Sequence, residues 1–175
     1  MNHTKLVRLL LPSALVVAAL FSVGCGTVNH SSKLTPGYSM KPEAKIALGL
    51  IEDKTAEKYD VDICALMGKA LQERLKRSAF SSTSSTPSNL TLRTRILEYE
   101  KGNAFNRWLM PGMGQTFLKI QCDLMEGENV VGTIWARRTV DVGGIYSIGA
   151  WESIFQDVAG DVMEELKKLT AKKTS

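Results

Sequence analysis

The stretch TFLKIQCDLMEGENVVGTIWARRTVDV, residues 116–142, decides how this chain is read. Leu118, Ile120, Cys122 and Leu124 alternate with Lys119, Gln121 and Asp123, the period-2 pattern of a strand with one buried face. Gly127-Glu128-Asn129 turns the chain, and a second apolar run returns it. Two such runs joined by a Gly/Asn turn predict a β-hairpin. One-sided strands of this kind suit an antiparallel sheet with a single covered face.

Elements on either side extend the sheet and supply its cover. LTLRTRILEYE (90–100) places Leu90, Leu92 and Ile96 on one side and Arg93 and Arg95 on the other. KIALGLIED (45–53) is a compact aliphatic run and reads as a buried strand. Between them, Cys64, Met67, Gly68, Leu71 and Leu75 recur at helical spacing, so a helix is predicted over 62–77, capped by Asp60 or Asp62. Ser81 to Ser88 is low in complexity and reads as a loop. Trp151, Phe155, Val158, Val162, Leu166 and Leu169 form one stripe of a terminal helix. The predicted order is β-α-β-β-β-α. It gives an α+β fold: an antiparallel-rich sheet of about four strands with two helices on one face. The other face would carry Arg93, Arg95, Tyr99, Lys119, Trp135 and Arg137 as a solvated or docking surface.

The start of the chain has a different character. Lys5 and Arg8 precede an apolar run from Leu9 to Phe21 that is broken only by Ser13. A spanning helix needs about 20 apolar residues, so this run fits a cleavable signal segment better. Ser22-Val23-Gly24-Cys25 resembles the bacterial lipoprotein box in its Gly-Cys ending, with serine where leucine is usual. The resemblance implies cleavage between Gly24 and Cys25, a diacylglycerol on the Cys25 thiol, and acylation of the new amine. Two or more acyl chains anchor a protein stably. Gly26, in place of the aspartate of inner-membrane retention, points to the outer membrane, with the protein facing the periplasm. The expected organisation is a signal peptide (1–24), a lipidated polar tether (25–44), one domain (45–170) and a basic tail (171–175).

That cut changes the charge balance. The whole chain has 22 basic and 18 acidic residues, a net +4. Without Lys5 and Arg8 the mature chain keeps 20 basic residues against the same 18 acidic ones, a net +2. Nothing in so small an excess calls for nucleic acid. His3 leaves with the signal and His30 falls in the expected tether, so the expected domain has no histidine. Histidine-based acid–base and nucleophilic chemistry is thereby unexpected, and so are most zinc sites. Asp60, Asp62, Glu98 and Glu100 read as caps and strand ends rather than as a catalytic pair. Neither enzyme activity nor a cofactor is expected. Cys64 and Cys122 fall on core faces, where they could pair as a disulfide or stand as buried free thiols.

The segment KGNAFNRWLMPGMGQ (101–115) is unusual for a connection between strands, because it carries Phe105, Trp108, Leu109, Met110 and Met113. Its glycines do not make a phosphate loop: no Gly-Lys-Ser/Thr ending follows. Pro111-Gly112 suits the centre of a type II turn. The segment is either a flap over one end of the core or an exposed contact patch. In the second reading Arg107, Trp108, Met110 and Met113 are the partner-binding candidates, since Trp and Arg dominate binding hot spots.

Gly102-Asn103, Arg107, Pro111-Gly112-Met113-Gly114, Val131-Gly132-Thr133-Ile134, Gly143-Gly144 and the terminal helix together resemble a family of bacterial envelope lipoproteins of unknown function. The acidic position of its pattern falls near Asp123, and the likeness runs from Lys45 to Leu169. More distantly, the chain is similar to periplasmic accessory lipoproteins such as peptidoglycan-synthase activators. It is also similar to the soluble part of curli-type secretion channels, without the long hairpins that a pore requires. The resemblance implies an envelope lipoprotein without established catalysis. The expected function is therefore a non-enzymatic binding or accessory module for another envelope component, a protein or a cell-wall polymer. The alternative is a binder of a small molecule or cell-wall polymer in a pocket under the 101–115 loop.

Overall fold

The computed structural model describes residues 27–83, 86–110, 113–141 and 149–171. The expected signal peptide with its cleavage site at Gly24 and Cys25, Pro111-Gly112, the expected 143–148 connector and residues 172–175 lie outside them. The chain forms β1 (Val28–Leu34), β2 (Ile46–Asp53), α1 (Ile63–Lys76), β3 (Leu90–Glu100), α2 (Ala104–Leu109), β4 (Thr116–Glu126), β5 (Asn129–Val140) and α3 (Ala150–Ala171). The strands make one sheet in the order β1-β5-β4-β3-β2.

The hairpin at the centre is the expected one. β4 and β5 pair antiparallel from Thr116↔Val140 to Glu126↔Asn129, and Gly127 turns the chain at φ +60°. β3 lies antiparallel to β4. β2 pairs with β3 in parallel, and α1 provides the crossover that a parallel pair requires. The α+β class therefore stands, but the sheet is mixed and has five strands rather than about four.

The fifth strand comes from the expected tether. Val28 to Leu34 pairs along β5, from Val28↔Arg138 to Leu34↔Gly132. Further on, Met40 and Ala44 are buried in the core. The folded unit thus includes Val28–Leu34, which the sequence reading placed in the tether ahead of a domain starting at 45. β1 was illegible because its sequence, VNHSSKL, is polar. An edge strand needs no apolar run, and polar or charged side chains there discourage further pairing.

The core lies between the inner sheet face and the two long helices. Leu118, Ile120, Cys122, Leu124, Ile134, Leu92 and Ile96 are wholly buried, as are Met67 and Leu71 of α1 and Val158, Val162 and Leu166 of α3. The Asp62 carboxylate caps α1 by accepting from the Ala65 N–H at 2.8 Å. Asp60 pairs instead with Lys101 Nζ, at 2.6 Å.

One inward-facing residue corrects the sequence reading, and the two cysteines take one of the alternatives it left open. Tyr99 is buried rather than on the outer face. A bulge between Ile96 and Glu98 shifts the alternation by one residue. The Tyr99 hydroxyl then donates to the Trp151 carbonyl at 3.1 Å. Cys64 and Cys122 are free thiols, so no disulfide joins them. Cys64 is half-buried on α1, while Cys122 is enclosed on β4 with its sulfur 3.3 Å from the Thr94 hydroxyl. Burial pushes the Cys122 thiol up to about 12, despite the Thr94 contact, so it stays protonated and unreactive.

Candidate functional site

Three regions bear on function: the seam between β1 and α3, the loop between β3 and β4, and the outer sheet face.

At the seam, alternation along β1 turns His30, Ser32 and Leu34 toward α3. His30 Nδ1 lies 2.7 Å from Glu165 Oε1. Lys168 Nζ donates to that oxygen at 2.9 Å, and the Ser32 hydroxyl donates to Glu165 Oε2. Burial would raise the Glu165 carboxyl, but hydrogen bonds from Ser32, Lys168 and His30 outweigh it and hold the group down to about 2. One turn earlier, both Asp161 oxygens accept from Arg138 of β5, at 2.7 and 2.8 Å. The expectation of a domain without histidine is therefore corrected: His30 belongs to the fold.

The seam has some features of a metal site. His30 Nε2, Asp161 and Glu164 offer ligand atoms within 4.8 Å of one another. The Glu165–His30 contact resembles the carboxylate that orients a metal-bound imidazole. However, Arg138 occupies both oxygens of Asp161, and Lys168 holds Glu164 at 3.0 Å. A cation would have to displace both. As built, the seam neutralises its own charge and fastens an edge strand to a helix. An open cavity of about 550 Å³ lies beside it, lined by His30, Ser32, Glu165, Lys168 and Leu169.

The loop is closed at its base by backbone contacts. The Asn103 N–H donates to the Gly114 carbonyl at 2.9 Å, and the Thr116 hydroxyl donates to the Lys101 carbonyl at 2.9 Å. Gly102 sits at φ +66°, where a Cβ would lie 2.6 Å from the Gly114 carbonyl oxygen. Only glycine suits both the conformation and the approach. Asn103 then caps α2, accepting from the N–H groups of Phe105 and Asn106 at 2.9 and 3.2 Å. The Gly102-Asn103 pair thus has a mechanical reason. α2 itself was not foreseen. It carries Arg107 and Trp108, whose side chains lie outside the described residues. The placed apolar side chains face solvent: Leu109 is 60% exposed, Met110 54% and Met113 51%. Phe105 is exposed as well.

On the outer sheet face, Arg95 pairs with Asp123, which also accepts from Gln121 at 3.0 Å and Thr133 at 3.2 Å. Lys119 pairs with Glu98 at 2.6 Å, and the Arg137 guanidinium lies 4.8 Å over the Phe117 ring. Trp135 and Arg93 are exposed on this face, which no described helix covers.

Among solved structures, the PelC dodecamer from Paraburkholderia phytofirmans has a similar fold. The TM-score is 0.53 at 15% identity, over 85% of this chain and 99% of that one. A point variant of the same protein in another crystal form also gives 0.53 at 15% identity, over 80% and 96%. A Caulobacter crescentus CB15 protein provisionally described as a lipoprotein matches at 17% identity over 70% of this chain and 92% of that one. Its TM-score of 0.41 is too low to carry an argument. No curated protein matches the sequence. Residues 29–144, which run from β1 through β5, match the model of DUF4410, a domain of unknown function, and the chain belongs to that family.

Proposed function

We propose that this chain is a lipid-anchored, periplasm-facing module of the outer membrane, which acts by binding another envelope component and not by catalysis. The observation that carries this reading is the open outer sheet face. There Trp135 stands beside Arg137, two residue types that dominate interface energetics, on a rigid five-stranded platform. Its neighbours Asp123, Glu98 and Lys119 already have partners on the sheet, which leaves Trp135, Arg93 and Arg137 as the groups this face offers to another molecule. The seam supports the non-catalytic half of the proposal, since its histidine and carboxylates are engaged in holding β1. Among the described residues, no helix is long and apolar enough to cross a membrane, and Cys25 with its bound lipid would supply the attachment.

The test has two arms. Cys25→Ala should release the protein from membranes; a variant still processed and still membrane-bound would remove the anchor. Crosslinking pull-downs from membranes should lose the partner with Trp135→Ala, with the fold intact by circular dichroism. An unchanged partner set would move the contact off this face. The PelC precedent makes a second copy of the chain one partner for which the pull-down must account. A second reading, capture of a cell-wall polymer, is favoured only by the cavity beside His30 and Lys168. A thermal shift with cell-wall fragments, abolished by Lys168→Ala, would support it.

A further inference from the structure

We infer that the β3–β4 loop rests on the lipid leaflet that holds Cys25, as a second membrane contact that sets the orientation of the domain. The inference rests on the lipidated Cys25 of the proposed function.

Topology brings the two features together. The register pairs Val28 with Arg138, Val140 with Thr116, and Phe117 with Glu100. The start of β1, the end of β5, the start of β4 and the end of β3 therefore share one end of the sheet. The loop springs from that end. Chain leading back to Cys25 leaves from the same end, and its slack is small. The Thr27 carbonyl already accepts from the Thr139 N–H at 3.0 Å. Cys25 lies two residues earlier, a span of at most about 7 Å.

Apolar exposure is concentrated there too. Eight large apolar side chains are exposed among the described residues. Five of them, Val28, Phe105, Leu109, Met110 and Met113, lie on β1's first residue or on this loop. The opposite end carries the polar turn Gly127-Glu128 and the polar segment Ser81–Thr83, with Val130 as its exposed large apolar side chain. A lipid-linked Cys25 puts the sheet end within about 10 Å of the headgroups, too little room for a folded protein between loop and bilayer. Short apolar elements of this kind settle at the boundary between headgroups and acyl chains. The diacyl anchor alone retains the protein, so the loop contributes orientation.

The test uses the full lipidated protein in phosphatidylethanolamine–phosphatidylglycerol vesicles. A polarity-sensitive fluorophore is placed at Met113→Cys and, as the distal control, at Glu128→Cys, both in a Cys64→Ser background. The 113 probe should emit to the blue and be quenched by acyl-chain nitroxides several-fold more than the 128 probe. Adding Leu109→Asp and Met110→Asp should abolish the difference, with membrane retention and circular dichroism unchanged. Equal, weak quenching at both positions in protein whose mass shows the lipid would overturn the inference and leave the anchor standing. A blue shift without quenching that grows with protein density would assign the loop to a second copy, and would also overturn it. Protein whose mass shows no lipid on Cys25 would overturn the anchor and this inference together.

Discussion

Two carboxylates in this molecule are each ringed by donors, yet they do different work. Asp123 on the outer face gathers Arg95, Gln121 and Thr133. All of them stand on strands already paired by backbone hydrogen bonds, so the cluster decorates a structure that exists without it. Glu165 in the seam gathers His30, Ser32 and Lys168. His30 and Glu165 are 135 residues apart. β1 has only one strand neighbour and little apolar surface, so these contacts do much of the holding on its inner side, while the Arg138–Asp161 pair fixes its neighbour β5 to the same helix. The same chemistry is ornamental where the backbone closes the structure, and structural where side chains must.

That contrast can be broken in four places. The largest effect is expected from Asp161→Ala, which leaves the half-buried Arg138 without its bidentate partner. The expected cost is about 3 kcal/mol in urea unfolding. A loss below about 1 kcal/mol would show that the seam is not structural. Glu165→Gln should cost about 2 kcal/mol at neutral pH, as expected for hydrogen bonds to a charged group. It should also change the acid response. The folded Glu165 carboxyl is held near 2 against an ordinary 4.5, so its stabilisation is complete above about 4.5 and disappears as pH falls toward 2. Unfolding curves across that window should show this slope in the parent and lack its Glu165 contribution in the variant. Asp123→Asn, on the outer face, should cost about 1 kcal/mol or less, because Arg95 can return to solvent. Lys119→Ala, which removes the exposed pair with Glu98, should change stability by less than about 0.5 kcal/mol. Equal costs at Asp161 and Asp123 would erase the distinction.

The contrast also explains what the sequence could reveal. β4, β5 and both long helices were legible because each buries one apolar face at a fixed period. β1 was not, because its inward residues are satisfied by α3 carboxylates rather than by apolar burial. One signal was present: Asp161 and Glu165 sit four apart, beside the apolar stripe of Val158, Val162 and Leu166. Carboxylates so close to a core need partners, and the polar segment before β2 supplies them in His30 and Ser32. Tyr99 was misplaced because one bulge inverts everything beyond it. The parallel β2–β3 pair was invisible because alternation carries no strand direction. α2 escaped because six residues are too few to show a helical stripe. The loop's composition nonetheless marked it correctly as unusual.

The short chain between Cys25 and the first hydrogen bond on β1 has one more consequence, for reach. A flexible tether of twenty residues would let the domain explore about 25 Å from its anchor, and would dilute its local concentration accordingly. With two residues there is almost no search volume. With the proposed lipid on Cys25, the domain would travel only as that lipid diffuses, in two dimensions and at nearly fixed height. Under that proposal, any partner would have to be embedded in the same membrane or arrive at its surface, and encounter rates would depend on the density of copies per membrane area.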